Sequence, residues 1–300
     1  MSFTNIVTPE WLSEHLTDPA IKILDCTTYM LAQPVGPSKI ESGHTQYLKG
    51  HIPGAQHVCM EQDFSEPGAR FAFTVPSPDT FNRLMQRLGI NHDDHVVLYG
   101  HQQLSVVTRI WFVLHAMGHQ KISILNGGLA LWVKSAMALS TELPTVEASD
   151  YKAEPKVERL AGITEVSEAI TDPQTVLLNA LKKEQFLGTG GAHYGRPGRI
   201  PNSRSWPATD LYDPQTGEFK SLEEMTALLK QLDLQAGQQV INYCGGGIAA
   251  TTTAFVLETL GFTNWSVYDN SMNEWANTPD KALVTGEQAR LFVANVTAMI

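Results

Sequence analysis

The chain repeats itself, and nothing else in it limits the fold so tightly. Val96-Val97-Leu98-Tyr99-Gly100 returns as Val240-Ile241-Asn242-Tyr243-Cys244, 144 residues on. A helical stretch closed by glycine follows each run, Arg109 to Gly118 and Ala250 to Gly261. Second strand-like runs come next, Ile122-Ser123-Ile124-Leu125 and Trp265-Ser266-Val267-Tyr268. Each copy then closes on a loop reaching a tryptophan, Trp132 and Trp275, 143 residues apart. Upstream, Gly50-His51-Ile52-Pro53-Gly54-Ala55 pairs with Gly198-Arg199-Ile200-Pro201-Asn202-Ser203 at an offset of 148. Further upstream, Ile23-Leu24-Asp25-Cys26 pairs with Leu177-Leu178-Asn179-Ala180 at an offset of 154. Landmarks in one order at nearly constant offset imply two homologous domains.

Each copy alternates short apolar strands with helical stretches expected to be amphipathic, the pattern of an α/β domain built on a mainly parallel sheet flanked by helices. The expected division is a first domain over 1–140, a Glu-, Ser-, Thr- and Pro-rich linker over 141–159, and a second domain over 160–300. Thr285 to Ile300 reads as a terminal helix, with Ala289, Phe292, Val293 and Val296 at helical spacing. In parallel sheets, ligands sit beyond the carboxyl ends of the strands, which is where Cys244 falls.

The run around that cysteine carries the chemistry. An apolar strand ends on Cys244; Gly245-Gly246-Gly247 follow, and Ile248-Ala249-Ala250 open a helix. Glycines let several backbone N–H groups curl around one point, and a helix start adds positive dipole there. A thiol in that place ionises more easily than a free one, and an anionic sulfur is held by the same amides. The alternative is an inert buried cysteine beside a tight turn, although a plain turn needs only one glycine. Cys26 and Cys59 lack any such cradle and are expected to be spectators.

Composition narrows the remaining classes. A net charge of -10 argues against nucleic acid or an anionic membrane as the main partner. No apolar run reaches membrane-spanning length. The three cysteines are widely spaced, with no C-x-x-C pair, so no metal site or disulfide framework is expected. An odd thiol count and an N-terminus without basic or apolar regions set the cytoplasm as the default compartment.

The tandem pattern resembles the two-domain rhodanese-type sulfurtransferases, a group that includes thiosulfate and 3-mercaptopyruvate sulfurtransferases. The residues carrying the resemblance are Gly50-His51-Ile52-Pro53-Gly54-Ala55, Leu125-Asn126-Gly127-Gly128, Tyr243-Cys244-Gly245-Gly246-Gly247-Ile248-Ala249-Ala250 and Tyr268-Asp269-Asn270-Ser271-Met272-Asn273-Glu274-Trp275. It implies a catalytic second domain and a silent first one, with Gly100 at the cysteine position. It also implies that Cys244 takes sulfur from a small anionic donor as a persulfide and passes it to cyanide or a thiol. The amides of Gly245, Gly246, Gly247, Ile248, Ala249 and Ala250 would hold the persulfide. No cofactor and no metal are implied.

The chain departs from that family at three points. Gly245-Gly246 stand where the thiosulfate enzymes have cations. Gly246 stands where the mercaptopyruvate enzymes have serine. The usual Asp-Ala-Arg triplet is Asn179-Ala180-Leu181, without its anion-binding arginine. The segment Gly190-Gly191-Ala192-His193-Tyr194-Gly195-Arg196-Pro197-Gly198-Arg199 offers Arg196 and Arg199 as replacements, since an arginine fork suits sulfonate or carboxylate. The equal alternative is that both are ordinary surface residues of a flexible loop. Thiosulfate is the favoured donor, and 3-mercaptopyruvate is the other.

Two rival classes bear on the same loop. A cysteine phosphatase needs an arginine six positions after the cysteine, and Ala250 stands there. A nucleotide-binding P-loop needs Lys-Ser or Lys-Thr after the glycines, and neither is present. A persulfide carrier or sulfide sensor without small-donor turnover is the remaining alternative. Among other residues, His51 is expected to be structural and His101 to face solvent from a loop. Asp269, Ser271 and Glu274 are expected to cap or orient backbone near the cysteine, and Trp132 and Trp275 to close the cores.

Overall fold

The computed structural model describes residues 4–31, 38–101, 103–191 and 194–286. The chain forms two units: Met1–Arg159 with Leu211–Ser221, and Leu160–Asp210 with Leu222–Ile300. The strands of the first unit are β1 (Ile6–Val7), β2 (Ile21–Asp25), β3 (Thr28–Leu31), β4 (Lys39–Ser42), β5 (Gln56–His57), β6 (His95–Tyr99) and β7 (Ile122–Leu125). Five of these form a parallel sheet in the order β1-β7-β6-β2-β5, and β3 pairs with β4 as a separate antiparallel ribbon.

The second unit contains β8 (Leu160–Ala161), β9 (Thr175–Asn179), β10 (Arg204–Ser205), β11 (Gln239–Tyr243) and β12 (Trp265–Tyr268). Its sheet is also parallel and runs β8-β12-β11-β9-β10. Strand for strand this is the order of the first sheet, so the sequence repeat is a repeat of topology. The central strands read as near-continuous apolar runs because both faces are covered: Val96 to Tyr99 and Val240 to Tyr243 are all buried.

Sequence-local signals set several helices. Pro9–His15 and Pro78–Arg87 each start with proline, behind Thr8 and Ser77, whose hydroxyls accept from Trp11 N and Thr80 N. Pro78–Arg87 has the expected amphipathic pattern, burying Phe81, Leu84 and Met85. The two helices that follow the central strands do not. Leu104–Ala116 buries every residue except Ser105, and Ala249–Thr259 buries Ala250 through Leu257. A helix enclosed on all sides carries no apolar stripe, so its start at Leu104 rather than Arg109 leaves no periodic mark. The threonines inside Ala249–Thr259 are tolerated because their hydroxyls find acceptors. Thr251 Oγ1 donates to Ile248 O, and Thr253 Oγ1 donates to Asn242 Oδ1.

Residues 141–159 hold no strand and only the short 3₁₀ turn Val157–Arg159. They are nonetheless tied along the first unit. Ser149 N donates to Gln86 O, Glu154 N to Met117 O and Lys156 N to Ala116 O, and Tyr151 is buried. The expected terminal helix lies outside the described residues beyond Gly286. Among the described residues, no helix is long and apolar enough to cross a membrane.

Candidate active site

β11 delivers Cys244 at its carboxyl end, one residue past Tyr243. Tyr243 anchors that end: its hydroxyl donates to Ser203 Oγ (2.7 Å) and accepts from Ile200 N (3.2 Å). The first unit uses the same device, Tyr99 accepting from Ile52 N (3.3 Å). Burial pushes the Tyr243 phenol up to about 12, so it stays a hydrogen-bonding alcohol at neutral pH.

The cysteine is buried and its loop is stapled to the helix Ser271–Trp275. Cys244 N donates to Ser271 Oγ (3.0 Å), while Cys244 O accepts from Met272 N (3.1 Å). Gly245 O accepts from Asn273 N (2.8 Å). Ser271 does this from a left-handed conformation, φ 49°, secured by its own hydroxyl donating to Tyr268 O (2.7 Å). With the Cys244 amide engaged, the amides of Gly245, Gly246, Ile248, Ala249 and Ala250 are left without an acceptor among the described residues. They lie at the start of the eleven-residue helix Ala249–Thr259, where the dipole adds to their positive field.

Two glycines of the loop are held bare by what covers them. A Cβ on Gly245 would fall 1.9 Å from Tyr194 Cζ, and one on Gly246 would fall 2.7 Å from Asn273 Nδ2. Tyr194 therefore lies directly on the residue after the cysteine. Burial pushes its phenol up to about 12, and the adjacent Cys244 charge acts in the same direction. A space of only about 10 Å³ remains beside it, bordered by Leu181, Gln185, Tyr194, Arg196 and Met272.

The expected arginine substitutes are committed elsewhere. Arg199 is buried, its guanidinium 4.3 Å over the Phe186 ring, donating to Phe186 O (3.2 Å) and Gly286 O (2.9 Å). Its fork holds backbone carbonyls, which argues against a donor-binding role. Arg196 borders the small cavity, but its Nε donates to Ala276 O (3.0 Å). Its NH2 donates to Thr278 O (2.8 Å) and Lys281 O (2.9 Å). It too acts chiefly as a clasp for the chain after the helix Ser271–Trp275. His193 lies outside the described residues. At the triplet, Asn179 Oδ1 accepts from Leu181 N (2.8 Å), and Leu181 itself lines the cavity with an apolar side chain.

The remaining candidates sort by their contacts. Glu274 Oε2 accepts from Tyr268 OH (2.8 Å) and Asn270 Nδ2 (3.3 Å), so it orients the loop, as Ser271 does. Both ring nitrogens of His51 face carbonyls, of Tyr47 (2.8 Å) and Glu142 (3.1 Å). Trp132 and Trp275 are buried, and each indole N–H donates to a carbonyl, of Ala138 and Ala282. Cys26 and Cys59 are buried, and burial pushes the Cys26 thiol up. Among the described residues, no three His, Cys, Asp or Glu side chains gather as a metal site. Tyr194, Gln185 and Asn273 were not singled out from the sequence. The bare Gly245-Gly246 pair was the one hint that something covers the loop.

The Rhodanese-like domain family model matches residues 8–135 and 163–278. The chain is 30% identical to the 3-mercaptopyruvate sulfurtransferase of Escherichia coli K12 over 285 residues, covering 93% of this chain and 98% of that protein. It is 28% identical to the sulfur carrier protein TtuD of Thermus thermophilus, covering 94% and 97%. It is 26% identical to the thiosulfate sulfurtransferase of Gallus gallus, covering 90% and 92%. The crystal structure of SseA from Escherichia coli, a 3-mercaptopyruvate sulfotransferase, superposes with a TM-score of 0.79 at 29% identity, covering 89% of this chain and 98% of that one.

Proposed function

The chain belongs to the rhodanese-like family and is a sulfurtransferase, and from that premise we propose that its second domain works through a persulfide on Cys244. The observation that carries this reading is the set of loop amides without acceptors that directly follow Cys244, at the start of the helix Ala249–Thr259. Such a cradle holds a negative sulfur species that forms during the reaction. Gly100 takes the cysteine's place in the first domain, which leaves that domain silent.

With thiosulfate, the Cys244 thiolate attacks the sulfane sulfur. An Sγ–S bond forms, and sulfite leaves with the electron pair of the broken S–S bond. With 3-mercaptopyruvate, the thiolate takes the thiol sulfur, and the carbon fragment leaves as the enolate of pyruvate, which then takes a proton. Cyanide or a thiolate next attacks the outer sulfur, and Sγ leaves as the thiolate. Oxidation states balance over each cycle, and no cofactor enters.

A small anionic donor is proposed as the substrate class because the unoccupied amides and the helix dipole both favour negative charge. The commitment of Arg196 and Arg199 to carbonyls leaves these amides as the main charge-stabilising groups among the described residues. A second reading, a persulfide carrier loaded by a partner, draws support from the similarity to the Thermus sulfur carrier protein. Steady-state assays with cyanide, comparing thiosulfate and 3-mercaptopyruvate, separate the two. Turnover with either donor that vanishes in Cys244→Ser supports the enzyme. Persulfide on Cys244 by mass spectrometry without turnover supports the carrier.

A further inference from the structure

The repeat that places Cys244 in the second unit places an open cavity in the first. It has a volume of about 290 Å³. Its walls are the repeat counterparts of the catalytic surroundings. His101 stands where the second unit has Gly245, and Gln46 where it has Tyr194. Lys49 replaces Pro197, and Leu129 replaces Met272. The phenol that covers the catalytic loop is thus exchanged for a smaller amide, and the space of about 10 Å³ in the second unit becomes one close to the lower end of ligand pockets, roughly 300 Å³.

The lining has a distinct chemistry. Leu129, Ala130, Val133 and Leu139 make an apolar wall, with Val133 52% and Leu139 44% exposed. The polar lining residues are Lys49, Gln46 and His101. Among the described residues, no carboxylate residue lines the cavity and Lys49 makes no ion pair, in a chain whose net charge is -10. The His101 amide is held by Thr27 Oγ1 (3.2 Å), which fixes the loop, while its Nδ1 is buried with no partner among the described residues. Buried polar atoms are rarely left unpaired. A cation without an ion pair and an apolar wall around one hollow are the elements of a site for a short apolar molecule with an anionic head.

We propose that the cavity of the first domain binds a small organic monoanion, a carboxylate or sulfonate on a short apolar chain. The head group takes Lys49 and the polar rim, and the chain lies on Leu129, Val133 and Leu139. The duplicated domain, having lost its cysteine, keeps the hollow as a binding site independent of sulfur transfer.

The test uses the full chain, isotope-labelled, with backbone amide shifts followed by NMR during titration with hexanoate, hexanesulfonate and neutral 1-hexanol. The expected result is saturable shifts at Gly50, His101 and Ala130 with the two anions, and binding of 1-hexanol weaker by about tenfold or more. Lys49→Ala, at an exposed position, is expected to weaken the anions by a similar factor, and Ala130→Trp to abolish the shifts by filling the hollow. Cys244→Ser is expected to bind as the parent does. No saturable shift at these amides overturns the proposal, as does equal binding of hexanoate and 1-hexanol. Shifts confined to 245–250 also overturn it, because they place the anion on the catalytic loop.

Discussion

The ring of Tyr194 lies where a side chain on Gly245 would have to stand: a Cβ there would fall 1.9 Å from its Cζ. The residue after the cysteine and a residue 51 positions upstream therefore share one volume, and the smaller has no side chain so that the larger can cover the loop.

This pair makes a prediction in two parts. Gly245→Ala should push Tyr194 off the loop and cost about 1–3 kcal/mol of stability, the usual range for overpacking. Combined with Tyr194→Ala, the same change should cost less than the sum of the two single variants. A double-mutant cycle by chemical denaturation reads the coupling, and simple additivity would show that the two residues do not compete for space.

Ser271 should prove more than a spacer. Its hydroxyl accepts from Cys244 N and donates to Tyr268 O, and its φ of 49° is strained for a residue with a side chain. Ser271→Ala loses both bonds and keeps the strain, at an expected cost of about 1–3 kcal/mol. Ser271→Gly loses the bonds but relieves the strain, so it should be the milder variant. Sulfurtransferase activity of the two variants at equal folded fraction then measures how far the Cys244 amide must be held for turnover.

Arg196→Ala is expected to leave the KM for an anionic donor close to the parent value and to lower stability by about 1–3 kcal/mol, because the fork serves three carbonyls of residues 276–281. Arg196→Lys should recover little, since an ammonium cannot reproduce the planar fork. A KM that rises tenfold with unchanged stability would return Arg196 to the donor site.

Alkaline pH should loosen the second domain before the ordinary tyrosine range is passed. Burial holds both Tyr194 and Tyr243 near 12 in the folded chain, against 10.0 for a free phenol. Above pH 10 the unfolded chain therefore releases protons that the folded chain keeps. Stability is full below that pH and falls from there toward 12. Denaturant midpoints measured from pH 8 upward should be flat and then decline. Tyr243→Phe, which removes one such group, should shallow the decline while lowering the neutral-pH midpoint through loss of the Ser203 and Ile200 bonds.

The sequence made some of this legible and hid the rest for physical reasons. The parallel α/β class and the repeat were readable because Val96–Tyr99 and Val240–Tyr243 are buried on both faces and therefore nearly all apolar. The loop geometry after Cys244 was readable because its determinants, the glycines and the helix start, are contiguous. The roles of Arg196 and Arg199 were not. Residue type correctly suggested a fork for oxygen atoms, but the oxygens are main-chain carbonyls as far away as Lys281 and Gly286. No local pattern announces which carbonyl a side chain will reach. Tyr194 was missed on the same ground, its partner being fixed only by the fold. Leu104 was missed as a helix start because full enclosure erases the periodic signal.

The excursion of residues 211–221 into the first unit bears on the order in which the chain is made. Phe219 is buried there, and its amide donates to Asn126 Oδ1 (2.9 Å). When a ribosome has finished Arg159, the first unit still lacks a piece encoded some fifty codons later, after β9 and β10 of the second unit have emerged. Domains generally complete themselves in order of synthesis. This one cannot, so the first unit waits for residues 211–221, and a gene cut between the two copies of the repeat would leave that unit without them.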